Sequence, residues 1–187
     1  MAQNGELRQD VASFLICEVI MIAPNVKEYD LEFTHLCARD DTDLIIIHHT
    51  GNPTDDDCSA EDIHRSHLAL GWAGCGYHYI IRKDGTIEEG RPEWAIGSHA
   101  EGYNWNSVGI HLSGNFEIGE PTEYQIESTA YLIGYLCDKY ALIPTEETVK
   151  GHRDVNATAC PGQHLYNILQ TLRGKGIWYM QNYQGGD

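Results

Sequence analysis

Basic residues are scarce in this chain. Only 12 Lys and Arg stand against 28 Asp and Glu in 187 residues, a formal net charge of −16. A nucleic-acid duplex or an anionic membrane surface repels such a chain, and the few cations do not cluster, so neither is expected as a partner. The cysteines (Cys17, Cys37, Cys58, Cys75, Cys137 and Cys160) include no CxxC pair and no dense framework, so reduced and mostly buried thiols are expected. Spacing alone leaves a Cys58–Cys75 or Cys37–Cys75 bridge open. No apolar run is long enough to span a bilayer. The most apolar stretch, residues 11–23, is broken by Glu18 and preceded by Glu6 and Asp10, where an export signal carries positive charge. The stretch reads as a poor export signal, so the expectation is a protein that stays in the cytoplasm until released, or one exported by a non-standard route. The Asp55-Asp56-Asp57 run lacks a surrounding EF-hand pattern and reads as a solvated loop rather than a calcium site.

With 42% hydrophobic and 21% charged residues, the composition is that of a folded globular chain. No repeat or compositional break divides it. We read residues 1–20 as an extension, since Met21 offers a second start, and residues 21–187 as a single monomeric domain. Residues 24–43 are polar and mixed and read as irregular. Strands are expected at about 44–48, 77–82, 86–90, 108–114 and 148–151. Asp84-Gly85 between two β-rich runs signals a hairpin. Ser59, with Asp62 three residues on, is expected to cap a helix that runs to about Leu70, with Ile63, His67 and Leu70 on one face, before Gly71 ends it. Thr122 starts a long helix to about Tyr140, and a last helix covers roughly 163–173, followed by a frayed end at 181–186. The fold class is therefore α/β: a central mixed sheet of about five or six strands flanked by helices.

The chemistry gathers around Leu44-Ile45-Ile46-Ile47-His48-His49-Thr50-Gly51. A short β-branched run reads as a buried strand, and it delivers imidazoles to the sheet edge. Neighbouring side chains on a strand face opposite ways, so His48 and His49 do not share a cleft. Downstream, Gly151-His152-Arg153 and Ala159-Cys160-Pro161 add an imidazole and a thiol eight residues apart, with the turn former Asn156 between them. Three nitrogen and sulfur ligands with a fourth position open is the ligand set of a catalytic zinc. Among ten histidines, scattered His and Cys sets also arise without binding anything.

Five motifs in order sharpen this reading: Ile46-Ile47-His48-His49-Thr50-Gly51; Gly76-Tyr77-His78-Tyr79-Ile80-Ile81 with Asp84-Gly85-Thr86; Gly97-Ser98-His99-Ala100; Ser107-Val108-Gly109-Ile110; and Gly151-His152-Arg153 with Ala159-Cys160-Pro161. Together they resemble the type 2 N-acetylmuramoyl-L-alanine amidases, the superfamily of T7-type lysozyme and the peptidoglycan recognition proteins, over roughly residues 40–172. The resemblance implies a mixed sheet flanked by helices and hydrolysis of the amide between N-acetylmuramic acid and L-alanine in peptidoglycan or its fragments. It also implies zinc held by His48, His152 and Cys160, with Tyr77 as a catalytic tyrosine. Thr158 falls where phage members carry a lysine and the recognition-protein amidases a threonine, so a cationic oxyanion stabiliser is not expected. No HExxH arrangement supplies a carboxylate base, which leaves the zinc hydroxide, Tyr77 or a nearby histidine for that role.

Around these, His99 lies in a Gly/Ser loop with no evident apolar face to bury it and is a candidate substrate contact. Trp72, Tyr103, Asn104 and Asn106 are candidates to line a glycan or peptide groove. His49 and His78 read as structural, as do His64, His67, His111 and His164. Two rival functions remain in view: a non-catalytic peptidoglycan-binding module, which in this family usually lacks the ligating cysteine, and a cytosolic amidase that recycles small muropeptides.

Overall fold

The computed structural model describes residues 21–183. Its six strands form one sheet in the order β1-β4-β3-β5-β2-β6. They are β1 (Val26–Lys27), β2 (Leu44–His49), β3 (Tyr79–Ile81), β4 (Ile87–Glu89), β5 (Ser107–Leu112) and β6 (Val149–Gly151). Only β3 and β4 run antiparallel, joined through Asp84-Gly85; every other pairing is parallel. The helices are α1 (Ala60–Ala69), α2 (Glu123–Lys139), α3 (Gln163–Asn167) and α4 (Leu169–Asn182).

Period-2 alternation sorts the central strands into two faces. Ile45 and Ile47 of β2, Val108, Ile110 and Leu112 of β5, and Tyr79 and Ile81 of β3 pack with α2 and α4 residues such as Leu132, Ile133, Leu136 and Leu172. Burying each such side chain is worth about 1.5–3 kcal/mol relative to leaving it in water. Ile80 takes the opposite face with Ala60 and Ile63 of α1. The same alternation gives His48, His111, Gly109 and Ser107 to that second face. A sheet covered on both sides explains why β2 reads as a continuous aliphatic run rather than an alternating one.

Helices α1 and α2 begin where the sequence places them. Ser59 and Asp62 form a reciprocal capping box at α1, and Thr122 and Gln125 form one at α2. Several expectations need correction. Residues 24–43 contain β1 and an isolated bridge, Ala38 to Ala95. Leu70, at the end of α1, is exposed, while Ile63 and His64 are buried. His64 turns inward because its ring accepts from Cys75 N (3.1 Å) and contacts Glu32 O (3.1 Å). The last helix is two helices broken at Ile168, and the second runs to Asn182, so residues 181–182 are helical rather than frayed. The readings of residues 1–20 and of 184–186 lie outside the described residues. The five described cysteines are all free thiols. No helix among the described residues is long and apolar enough to cross a membrane.

Candidate metal centre

His48 sits at the end of β2, and Ile47 pairs with Gly151 of β6 in parallel register. One residue beyond that pair, His48 and His152 therefore emerge side by side at the same edge of the sheet, their ring centroids 4.5 Å apart. The chain then folds back: Arg153 N donates to Cys160 O (2.9 Å), and Gly151 N donates to Asp154 Oδ2 (2.8 Å). This closes the 152–160 loop and brings the Cys160 sulfur to 3.7 Å from His48 Nδ1. Two ligands on a tetrahedral zinc, one nitrogen and one sulfur, stand about 3.6 Å apart given ordinary bond lengths. The ligand atoms of His48, His152 and Cys160 all lie within 4.8 Å of one another.

The surroundings suit a cation. His48 is fully buried. Burial, and then the neighbouring rings of His99 and His152, hold its pKa well below the ordinary imidazole value, so it is neutral. His152 is also lowered, by burial, although Asn156 opposes this. Burial pushes the Cys160 thiol up to about 12 despite the backbone at His49 and the Arg153 charge, so a thiolate needs a closer positive charge. His152 Nε2 lies 3.1 Å from Asn156 Oδ1, whose side chain also donates from Nδ2 to Glu101 O (3.1 Å). The amide orientation makes Oδ1 the acceptor, so His152 carries its proton on Nε2 and keeps Nδ1 bare. Two neutral imidazoles with outer hydrogen bonds and one thiol match the donor set of a zinc centre.

A cavity of about 530 Å³ opens over these groups, lined among others by Trp72, Tyr77, Asn104, His152, Asn156 and Thr158. The Tyr77 ring lies 5.0 Å from that of His48. Burial, and then the thiols of Cys160 and Cys75, raise its phenol well above the usual value, so it stays protonated. Thr158 Oγ1 accepts from Cys160 N (3.2 Å), which leaves its own hydrogen available to the cavity. Trp72 is half-exposed on the rim and packs on His67 at 4.5 Å.

The remaining candidates divide. Asn104 Oδ1 accepts from the backbone N of His99 (2.8 Å) and of Ala100 (2.9 Å), so it shapes the cavity wall while bordering it. Asn106 turns away and donates to Asp43 Oδ2 (2.9 Å). Tyr103 is on the surface, its carbonyl accepting from Ser107 Oγ. His49 faces the opposite side, accepting from Phe116 N (3.1 Å). His78 spans Gly109 N and Ala95 O. His99 is 8% exposed, so its loop does bury it, and it also lines the cavity wall. Two groups escape sequence reasoning: Asn156, which contacts His152, and Ser107, which contacts His99. By sequence Asn156 is only a turn former, and Ser107 is only part of a strand motif. Asx residues near a ligand His are the signal that finds the first.

The fold is a mixed α/β sheet with a His, His, Cys cluster that could hold a metal ion at one sheet edge. Residues 38–163 match the N-acetylmuramoyl-L-alanine amidase family, and the chain belongs to it. It is 36% identical over 132 residues to the endolysin of Escherichia phage T7, covering 68% of this chain and 85% of that one. A peptidoglycan-recognition protein of Drosophila simulans is also 36% identical over 132 residues, covering 68% of this chain and 72% of the relative. Among solved structures, the N-acetylmuramoyl-L-alanine amidase LysC from Clostridium intestinale URNW superposes with a TM-score of 0.72 at 37% identity, covering 80% of this chain and 97% of that one. Drosophila PGRP-LB gives a TM-score of 0.67 at 30% identity, covering 74% and 86%.

Proposed function

We propose that the chain is a zinc-dependent amidase that cleaves the bond between the lactyl group of N-acetylmuramic acid and L-alanine in peptidoglycan or its fragments. The observation that carries this reading is the convergence of His48, His152 and Cys160, whose ligand atoms lie within 4.8 Å of one another, beside a cavity that His152 lines. A recognition module that only binds has no need of a partly buried thiol within reach of two neutral imidazoles. When bound, zinc supplies a Lewis acid for the amide carbonyl and lowers the pKa of a bound water toward about 7.

The chain's own groups do the rest. Tyr77, kept protonated by burial, donates a hydrogen bond to the nucleophile or to the developing oxyanion rather than removing a proton. Thr158 supplies a second, neutral donor. Trp72 and Asn104, on the rim and wall of the cavity, orient the glycan and stem peptide. The test is mass-spectrometric digestion of one defined muropeptide by zinc-loaded protein, with and without a chelator. Release of a peptide with a free L-alanine amine, abolished by the chelator, is expected. Binding without release makes the protein a recognition module. Running soluble fragments beside intact sacculi separates a wall lysin from a recycling amidase.

A further inference from the structure

His99 lies behind the metal centre, and its ring edges onto His48. His99 Nδ1 is 2.9 Å from His48 Nε2, with the two rings nearly perpendicular. Its other nitrogen, Nε2, is 3.4 Å from Ser107 Oγ. Ser107 in turn donates to the Tyr103 carbonyl (2.7 Å). The chain of contacts fixes the protons from its far end. A carbonyl oxygen only accepts, so the Ser107 hydroxyl commits its hydrogen there. Its oxygen is left to accept from His99 Nε2–H, and His99 Nδ1 is then bare and accepts from His48 Nε2–H. His48 is consequently bare at Nδ1, the atom that faces the Cys160 sulfur.

The space for this arrangement is made by two missing side chains. A Cβ on Gly109 would stand 2.7 Å from His99 Cδ2 and Cγ, and one on Gly97 would stand 2.4 Å from Cδ2. The backbone N of His99 is held by Asn104 Oδ1. The ring is thus clamped by close backbone, and both its nitrogens have partners inside the protein.

We propose that His99 is a positioning residue, anchored through Ser107 on the Tyr103 carbonyl, that holds His48 in the tautomer presenting Nδ1 to the metal. This rests on His48 being a zinc ligand. Groups hydrogen-bonded behind a ligating His orient its ring and raise its basicity, and their loss costs about 10- to 100-fold in metal affinity.

Zinc affinity, measured by competition with a chromophoric chelator, tests the proposal. His99→Leu is expected to weaken zinc binding about 10- to 100-fold. His99→Asn puts an oxygen acceptor close to the Nδ1 position and is expected to restore most of it. A space-filling role predicts the reverse order, since Leu fills more of the site than Asn. Equal affinity in wild type and His99→Leu, or no rescue by Asn, overturns the proposal. Nitrogen-15 NMR of the imidazoles in metal-free wild-type protein gives an independent reading that needs no variant. It is expected to show His48 protonated on Nε2 and His99 also on Nε2; a proton on His48 Nδ1 overturns the proposal. If wild-type protein binds no zinc, the metal reading fails by itself, while the NMR result still decides the relay.

Discussion

Asn156 ties the His152 imidazole to the opposite wall of the cleft: one side chain accepts from the ring and donates to the carbonyl of Glu101. The two loops that bound the cavity therefore meet through a ligand's outer hydrogen bond. Asn156→Ala is expected to lower zinc affinity about tenfold, because His152 loses the acceptor that sets its tautomer. Asn156→Asp keeps that acceptor and is expected to retain affinity while loosening the link to Glu101. Chelator competition on both variants checks this; equal losses would mean that the wall contact matters rather than the tautomer.

Cys160→Ser should remove zinc binding and hydrolysis while leaving the fold intact. The sulfur is partly buried in a loop whose backbone is fixed by Arg153 N and by Thr158 Oγ1, and neither contact needs the thiol. Metal content, circular dichroism and muropeptide turnover on the same sample are the measurements. Full turnover in the serine variant would take Cys160 out of the site.

Tyr77→Phe should keep the metal and lose turnover by about 100- to 1000-fold, the usual effect of deleting one transition-state donor. The ring packs between His48 and His111, so the phenyl group preserves that packing. A wild-type rate in this variant would make Tyr77 a packing residue.

Stability should depend on pH through Glu93. Burial disfavours its charge, but hydrogen bonds from Lys139, Tyr140 and Tyr79 outweigh this and hold its pKa below the ordinary glutamate value. A carboxyl whose folded pKa is depressed contributes stability that is fully present above the unfolded value and is lost as pH falls through the folded one. Urea midpoints of wild type should therefore drop more steeply than those of Glu93→Gln as pH is lowered from about 6 to 3. Parallel curves would show that the Lys139 ion pair at 2.8 Å contributes nothing measurable.

Much of this architecture is legible in residue order. The β2 run, the Asp84-Gly85 turn and the Ser59 and Thr122 caps are local signals with local causes, and each element forms where those residues place it. So is the face on which His48 falls, because strand alternation follows from counting. What is not legible depends on distant partners. The two residues of β1 become a strand only by lying beside Ile87 and Glu88. His99 looks exposed from its own loop, because the room that encloses it is created by Gly109, ten residues on and in another element. Asn106 belongs with the cleft by sequence neighbourhood, yet Asp43 claims its side chain. Leu70 follows the helical spacing of Ile63, but the helix ends before the core reaches it.

The ladder between β2 and β6 joins residues about a hundred positions apart, and the residues just past its last pair, His48 and His152, belong to the His, His, Cys cluster. Parallel pairing over such a separation is entropically costly, since chain entropy is lost before the contacts form. The two imidazoles can grip an ion together only after that final strand has docked. The cluster is thus a property of the completed assembly: a chain still lacking its last quarter holds one imidazole of the trio.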